Sequence, residues 1–86
     1  MESYRIEFTR SAEKDLRKID RSRIAAILRK IEQLPFNPRP DGSKKLAGAD
    51  RTYRIRVGDY RVVYEVEDDV LLVLVIRVAH RKDVYR

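Results

Sequence analysis

The sequence predicts one α+β domain over residues 1–86, with the element order β-α-α-β-β-β. Three observations predict it: an alternating apolar pattern at the start, apolar residues at helical spacing through residues 12–34, and alternating or continuous apolar runs after residue 53. Eighty-six residues fit a single domain. We therefore expect a mostly antiparallel four-stranded sheet with an N-terminal helical hairpin on one face.

The first strand and the first helix lie close together in the sequence. Residues 4–8 alternate apolar and charged side chains, which indicates a strand. Thr9 or Ser11 suits the cap of the helix that follows, because a hydroxyl at a helix start accepts a free backbone N–H. Residues 12–19 then carry apolar side chains at helical spacing, enough for about two turns.

A second helix and a long loop complete the first half. Asp20 is a candidate cap, an apolar stripe runs through residues 24–34, and Pro35 ends the helix. Residues 35–50 hold all three prolines and two of the three glycines and show no periodicity, so we expect a loop. Lys44 and Lys45 lie inside this loop.

A β-hairpin is predicted for residues 53–66, which read "YRIRVGDYRVVYEV". Gly58-Asp59 suits a two-residue turn, and such a turn sets Arg56 opposite Arg61. Because side chains alternate between faces, the tyrosines and aliphatic residues share the face that the helices cover. The other face is expected to be open and outside the core, and it carries Arg54, Arg56, Arg61, Val63 and Glu65.

The last strand is predicted for residues 70–79, after the acidic turn at residues 67–69. Its apolar run does not alternate, which is typical of a central strand covered on both sides. The tail "HRKDVYR" follows directly, so Arg81 and Tyr85 are expected near the rim of the open face. His80 alternates with Arg81 and reaches that face only if the strand ends or bends there.

Composition limits the classes of function. The formal net charge is +6, which favours a polyanionic partner, although solubility alone also explains a basic surface. The chain has no cysteine and one histidine, so an ordinary zinc site is excluded and no metal or cofactor is expected. The longest apolar run, residues 70–76, is too short to span a membrane as a helix. We expect a cytoplasmic protein that does not bind membranes.

The arginine face is suited to phosphate. Guanidinium groups stay charged and form bidentate hydrogen bonds to phosphate oxygens. The alternative is that each arginine pairs with Glu65, Asp59 or a C-terminal carboxylate on an ordinary polar face.

The hairpin sequence, the tail "HRKDVY", the helix "AEKDLRKI" and the segment "KKLAG" together resemble the RelE/ParE superfamily of bacterial and archaeal toxins. The tail is more similar to the RelE branch. The resemblance implies a fold like a microbial ribonuclease and an endoribonuclease, or mRNA interferase, that cuts messenger RNA in the ribosomal A site and inhibits translation. It also implies a cognate antitoxin, which the +6 charge predicts to be acidic.

The resemblance also implies which residues act. Arg61 and Arg81 match the arginines that hold the scissile phosphate, and Tyr85 matches the active-site tyrosine. His80 matches a position that is lysine or histidine among relatives. Four further residues are predicted to bind RNA: Arg54, Arg56, Lys44 and Lys45.

The mechanism expected from these residues is metal-independent attack of the RNA 2′-hydroxyl on the adjacent phosphate. Two other readings share the hairpin: a ParE-like toxin that poisons DNA gyrase, and a non-catalytic RNA-binding module.

Overall fold

The fold is a five-stranded sheet with two helices inserted between its first and second strands. The computed structural model describes residues 3–80 and residue 82. The elements are β1 (Arg5–Phe8), α1 (Arg10–Arg17), α2 (Arg21–Gln33), β2 (Lys44–Lys45), β3 (Thr52–Val57), β4 (Tyr60–Glu67) and β5 (Leu72–His80). The strand order is β1-β5-β4-β3-β2, with β1 parallel to β5 and the other pairs antiparallel. The predicted α+β class and its mostly antiparallel sheet are confirmed.

The sheet has one strand more than the four predicted. Lys44 pairs with Arg54 and Lys45 with Tyr53, so part of the predicted loop forms the short edge strand β2. Two residues cannot show a period of two, which is why the sequence gives no strand signal there. The consequence for function is that Lys44 is held beside the arginine face.

The hairpin of β3 and β4 has the predicted register. Val57 pairs with Tyr60, Arg56 with Arg61 and Ile55 with Val62. Gly58 has a φ of 60°, a left-handed value that the first position of a type II′ turn requires and that glycine adopts at little cost. The two-residue turn therefore fixes which side chains share a face.

The core lies between the helices and one face of the sheet. α1 packs on β5 and β1, and α2 packs on β3. The tyrosine and aliphatic face of the hairpin is the one covered, as predicted. The buried apolar residues are Ala12, Ile27, Ile31, Leu34, Ile55, Val62, Tyr64, Val66, Val73, Val75 and Val78.

The helix ends follow the predicted capping only in part. Thr9 caps α1, because its hydroxyl accepts the backbone N–H of Ala12 at 3.1 Å. Asp20 occupies the cap position of α2, but its side chain makes no cap hydrogen bond. α2 ends at Gln33, with Leu34 as its cap and Pro35 next.

In residues 3–80 and 82, neither helix is long and apolar enough to cross a membrane.

The last strand is an interior strand of the sheet, between β1 and β4, and it starts later than predicted. Leu71 has a φ of 52°, so the turn after β4 extends through it and β5 begins at Leu72. This left-handed backbone conformation is strained for leucine. The hydrophobic pattern alone places Leu71 in the strand, because it does not report backbone angles. The strand continues to His80, with one irregularity opposite Val63 and Tyr64.

Candidate functional site

A cationic cleft opens on β2, β3 and β4, with a volume of about 170 Å³. The residues that line it are Gly42, Lys44, Arg54, Ile55, Arg56 and Arg61. Four of the six are cations, and no carboxylate is among the described residues that form its walls. Such a set attracts a compact anion and offers several N–H donors to it. Hereafter this cavity is called the cationic cleft.

Strand pairing is what brings the four cations together. Arg56 lies directly opposite Arg61, and Lys44 lies directly opposite Arg54. Opposed residues share a face, and Arg54 and Arg56 are two apart on β3, so all four side chains leave the sheet on one side. Like charges in this arrangement destabilise an antiparallel pair. An anion bound in the cleft would relieve this repulsion.

Arg61 departs from the prediction of an open face. It is buried, with 8% of its surface exposed, while Arg54 is half-buried and Arg56 and Lys44 are exposed. Arg61 is thus the deepest cation of the cleft. A buried guanidinium loses hydration, so its hydrogen bonds to an anion are stronger than those of a surface arginine.

Arg39 attaches the loop before β2 to the sheet. Its guanidinium donates to both carboxylate oxygens of Asp68, at 2.7 and 3.3 Å, and to the hydroxyl of Tyr53 at 3.0 Å. It also lies 5.2 Å from the centre of the Tyr53 ring. The hydroxyl of Tyr4 donates to Asp68 as well. The pKa of Asp68 lies below its ordinary value, chiefly because Arg39 and then Tyr4 donate to its carboxylate.

Tyr64 anchors the same loop from inside the core. It is fully buried, and its hydroxyl donates to the carbonyl oxygen of Pro38 at 2.7 Å. Burial raises the pKa of Tyr64 to about 12. Gly42 of this loop and Lys44 at the start of β2 line the cationic cleft, so the anchors at Arg39 and Tyr64 hold that side of the cleft in place.

We expect Tyr64→Phe to lower stability by about 1–3 kcal/mol at neutral pH, because the Pro38 carbonyl loses its donor in a buried setting. The wild-type protein should also lose stability from about pH 10 to pH 12. The folded pKa is raised to about 12, whereas the unfolded phenol titrates near 10, so ionisation stabilises the unfolded chain over that interval. Urea denaturation followed by circular dichroism across this pH range measures both effects.

Tyr60→Phe is the matched control, since Tyr60 lies on the same face of the hairpin. That variant should keep the steep alkaline loss, and Tyr64→Phe should show a shallower one. Equal alkaline slopes in the two variants would contradict the role given to Tyr64.

The structure does not bring His80 into the cationic cleft. β5 extends through His80, which pairs with Tyr60 on the helix-covered side of the sheet. The two rings meet edge to face, with centroids 5.3 Å apart. His80 instead lines a separate cavity with Asp15, which accepts a hydrogen bond from Arg77 at 2.9 Å. The geometric condition for an active His80, a strand that ends or bends before it, is not met.

Three other predicted site residues are outside the cleft or outside the described part of the chain. Lys45 pairs with Tyr53 next to Lys44, so alternation directs it to the other face, and it does not line the cleft. Arg81 and Tyr85 lie outside the described residues.

Over residues 3–80 and 82, no group of three or more His, Cys, Asp or Glu side chains is placed to hold a metal ion.

Gly42 and Arg39 are the residues that sequence reasoning missed. Both lie in the segment without periodicity, and their contacts join positions far apart in the chain, such as Arg39 with Asp68. The glycine in "DG" signals a turn but not that the turn borders a cavity.

Known proteins with similar sequences and structures share this fold. The family model described as ParE toxin of type II toxin-antitoxin system, parDE, matches residues 6–85. Toxin RelG of Mycobacterium tuberculosis is 32% identical over 87 residues, which cover 96% of this chain and 97% of RelG. The archaeal RelE-RelB complex from Pyrococcus horikoshii contains a chain with a TM-score of 0.82 and 26% identity, covering 94% of this chain and 98% of that one. The intact E. coli RelBE toxin-antitoxin complex contains another, with a TM-score of 0.81 and 30% identity, covering 91% and 96%. The chain therefore belongs to the RelE/ParE superfamily of type II toxin–antitoxin toxins, in its RelE-like branch.

Proposed function

We propose that the protein is a ribosome-dependent endoribonuclease that cleaves messenger RNA and so inhibits translation. The observation that carries the proposal is the cationic cleft: Lys44, Arg54, Arg56 and Arg61 converge on one small cavity whose described walls carry no carboxylate. In a RelE-like toxin, a phosphate of the RNA backbone is the ligand that this cavity fits best.

The reaction uses the 2′-hydroxyl of the RNA as its nucleophile. Its oxygen bonds to the neighbouring phosphorus as the hydroxyl proton leaves, and the bond from phosphorus to the 5′-oxygen breaks as that oxygen gains a proton. The products are a 2′,3′-cyclic phosphate and a free 5′-hydroxyl. Because the substrate supplies the nucleophile, the reaction requires no metal-activated water.

The arginines act through charge and hydrogen bonds. Negative charge builds on the phosphorus-bound oxygens in the transition state, and donors already in place stabilise it with little reorganisation. Arg61 is the deepest such donor, and the resemblance to RelE toxins assigns the same task to Arg81. Arginine stays protonated at neutral pH, so proton transfer belongs to another group. For Tyr85 we propose stacking on a base of the RNA, in keeping with the resemblance to RelE toxins.

The proposed partners are the ribosome with its messenger RNA, which places the activity in the cytoplasm, and a cognate antitoxin. The solved relatives from P. horikoshii and E. coli are complexes of RelE with RelB. The formal charge of +6 favours an acidic antitoxin here, whose binding weakens as salt rises.

A second candidate is gyrase poisoning, which the match to a ParE family model favours. Such a toxin needs the fold but not the cationic cleft. A binding protein without catalysis is the remaining alternative.

A reconstituted translation reaction with primer extension on the messenger separates the three. The proposal predicts new messenger 5′ ends only when ribosomes are present, and their loss when the protein encoded by the neighbouring reading frame is added. Intact messenger together with inhibited gyrase supercoiling would establish the second candidate. Intact messenger and active gyrase, with RNA bound, would leave a non-catalytic binder.

A further inference from the structure

A second cavity of about 220 Å³ lies directly beside the cationic cleft and differs from it in chemistry. The two cavities share Gly42, Ile55 and Arg56, so a ligand can extend from one into the other. We call the second cavity the side pocket. It lies between the C-terminal end of α2, the loop at residues 40–42 and the edge of β3.

The side pocket is not built for phosphate. Its walls include the buried Leu34 and Ile55 together with Pro40, so much of its surface is apolar. It also carries the carboxylate of Asp41, which repels a phosphate and is absent from the walls of the cationic cleft. Apolar walls with a few polar groups are typical of a pocket for a flat heterocycle.

Polar groups at the side pocket can read the edge of a base. Gln33 offers both a donor and an acceptor, so it can pair with either base. Lys30 offers donors alone, and cytosine and uracil both present acceptor atoms to it, so it does not distinguish strongly between these two bases. The carboxylate of Asp41 only accepts, and it pairs with an amino group such as that of cytosine. Uracil presents a carbonyl oxygen at the corresponding position, which the carboxylate repels.

We infer that the side pocket binds a nucleobase that carries an amino group, when a phosphate of the same RNA strand occupies the cationic cleft. This inference rests on the proposed function and names a specificity-determining residue, Asp41. Sequence-specific recognition of RNA targets unstacked bases in single strands, and the base and phosphate of one nucleotide are separated by a single ribose. Two adjoining cavities, one cationic and one mostly apolar with an acceptor, match that pair of groups.

The test uses probes that differ only in the base. Cytidine and uridine monophosphates, each as the 3′ and the 5′ isomer, and ribose 5-phosphate are titrated into the ¹⁵N-labelled protein and followed by amide NMR shifts. The cytidine phosphates should bind about tenfold more tightly than the uridine phosphates, the discrimination typical of a good base-edge contact. All of these nucleotides should shift the amides of Lys44 and Arg61, and ribose 5-phosphate should leave the amide of Asp41 unmoved.

Two variants test whether Asp41 is the source of the preference for cytidine over uridine phosphates. Asp41→Asn should bring the cytidine-to-uridine ratio close to one, because an amide also donates and can pair with the uracil carbonyl. Asp69→Asn is the matched control: it removes one exposed carboxylate in the β4–β5 turn, remote from both cavities, and should keep the tenfold ratio. Asp41 is exposed, and a preserved amide spectrum shows that its variant is folded.

Two outcomes would overturn the inference, and they differ in meaning. Equal affinity for cytidine and uridine phosphates, with the Lys44 and Arg61 amides shifted, would refute the base pocket and leave the proposed ribonuclease intact. If no phosphate probe shifts those two amides, the phosphate site itself is wrong, and the base pocket fails with the proposed function.

Discussion

Replacing Arg61 by alanine should lower the rate of messenger cleavage by about 10²- to 10³-fold, equivalent to about 2.7–4 kcal/mol of transition-state stabilisation. Arg61 is the deepest cation of the cationic cleft, with 8% of its surface exposed. A donor in that position interacts with the phosphoryl oxygens where water competes least. The effect should fall on the cleavage step, measured by single-turnover primer extension on ribosomes.

Two further variants separate the effect of the guanidinium in the cleft from a general loss of positive charge: Arg61→Lys and Arg17→Ala. Lysine keeps the charge but loses the planar fork that binds two phosphate oxygens, so Arg61→Lys should retain only part of the rate. Arg17 is exposed on α1 and does not line the cleft, so Arg17→Ala removes the same charge and should cleave at the wild-type rate.

Stability must be measured beside activity because Arg61 is buried. Thermal unfolding by circular dichroism shows whether Arg61→Ala is folded at the assay temperature. A folded Arg61→Ala that cleaves at the rate of Arg17→Ala would remove Arg61 from the site.

Local rules predicted the hairpin because its geometry is decided by neighbouring residues. A glycine-first turn fixes the register, and alternation then assigns every side chain from Tyr53 to Tyr64 to a face. The pairing of Arg56 with Arg61, and with it half of the cationic cleft, follows from the sequence alone.

The other half of the site depends on tertiary contacts that no local pattern carries. The two residues of β2 are strand only because β3 offers a partner, and the loop before them is held by Arg39 on Asp68 and by Tyr64 on Pro38. No local pattern within residues 35–50 indicates these contacts, because the partners Asp68 and Tyr64 lie far along the chain. The side pocket was missed for the same reason, since it forms where this loop meets α2.

The structure departs from the expected open face at Arg61 and places His80 on the helix-covered face. Arg61 was expected on an open face, but it is buried, with 8% of its surface exposed, a property that strand alternation alone does not predict. His80 was a candidate for the site only if β5 ended or bent there, and the pairing of β5 with β4 continues through His80, which lies opposite Tyr60.

A messenger carrying a single 2′-deoxyribose at the cleavage position should resist cutting. The described walls of the cationic cleft supply cations, which stabilise charge but do not abstract a proton from water. On the proposed mechanism the nucleophile comes from the substrate, and it is the 2′-hydroxyl next to the scissile phosphate. Removing that one oxygen leaves the phosphate, the base and every contact to the protein in place.

Attack by the 2′-hydroxyl is tested most directly by primer extension on two programmed ribosome complexes whose messengers differ only in this hydroxyl. A deoxyribose one nucleotide further along the messenger is the control and should be cut normally. We expect a new 5′ end from the all-ribose messenger and no product from the messenger with deoxyribose at the cleavage position. Efficient cleavage of that deoxy-substituted messenger would contradict this mechanism.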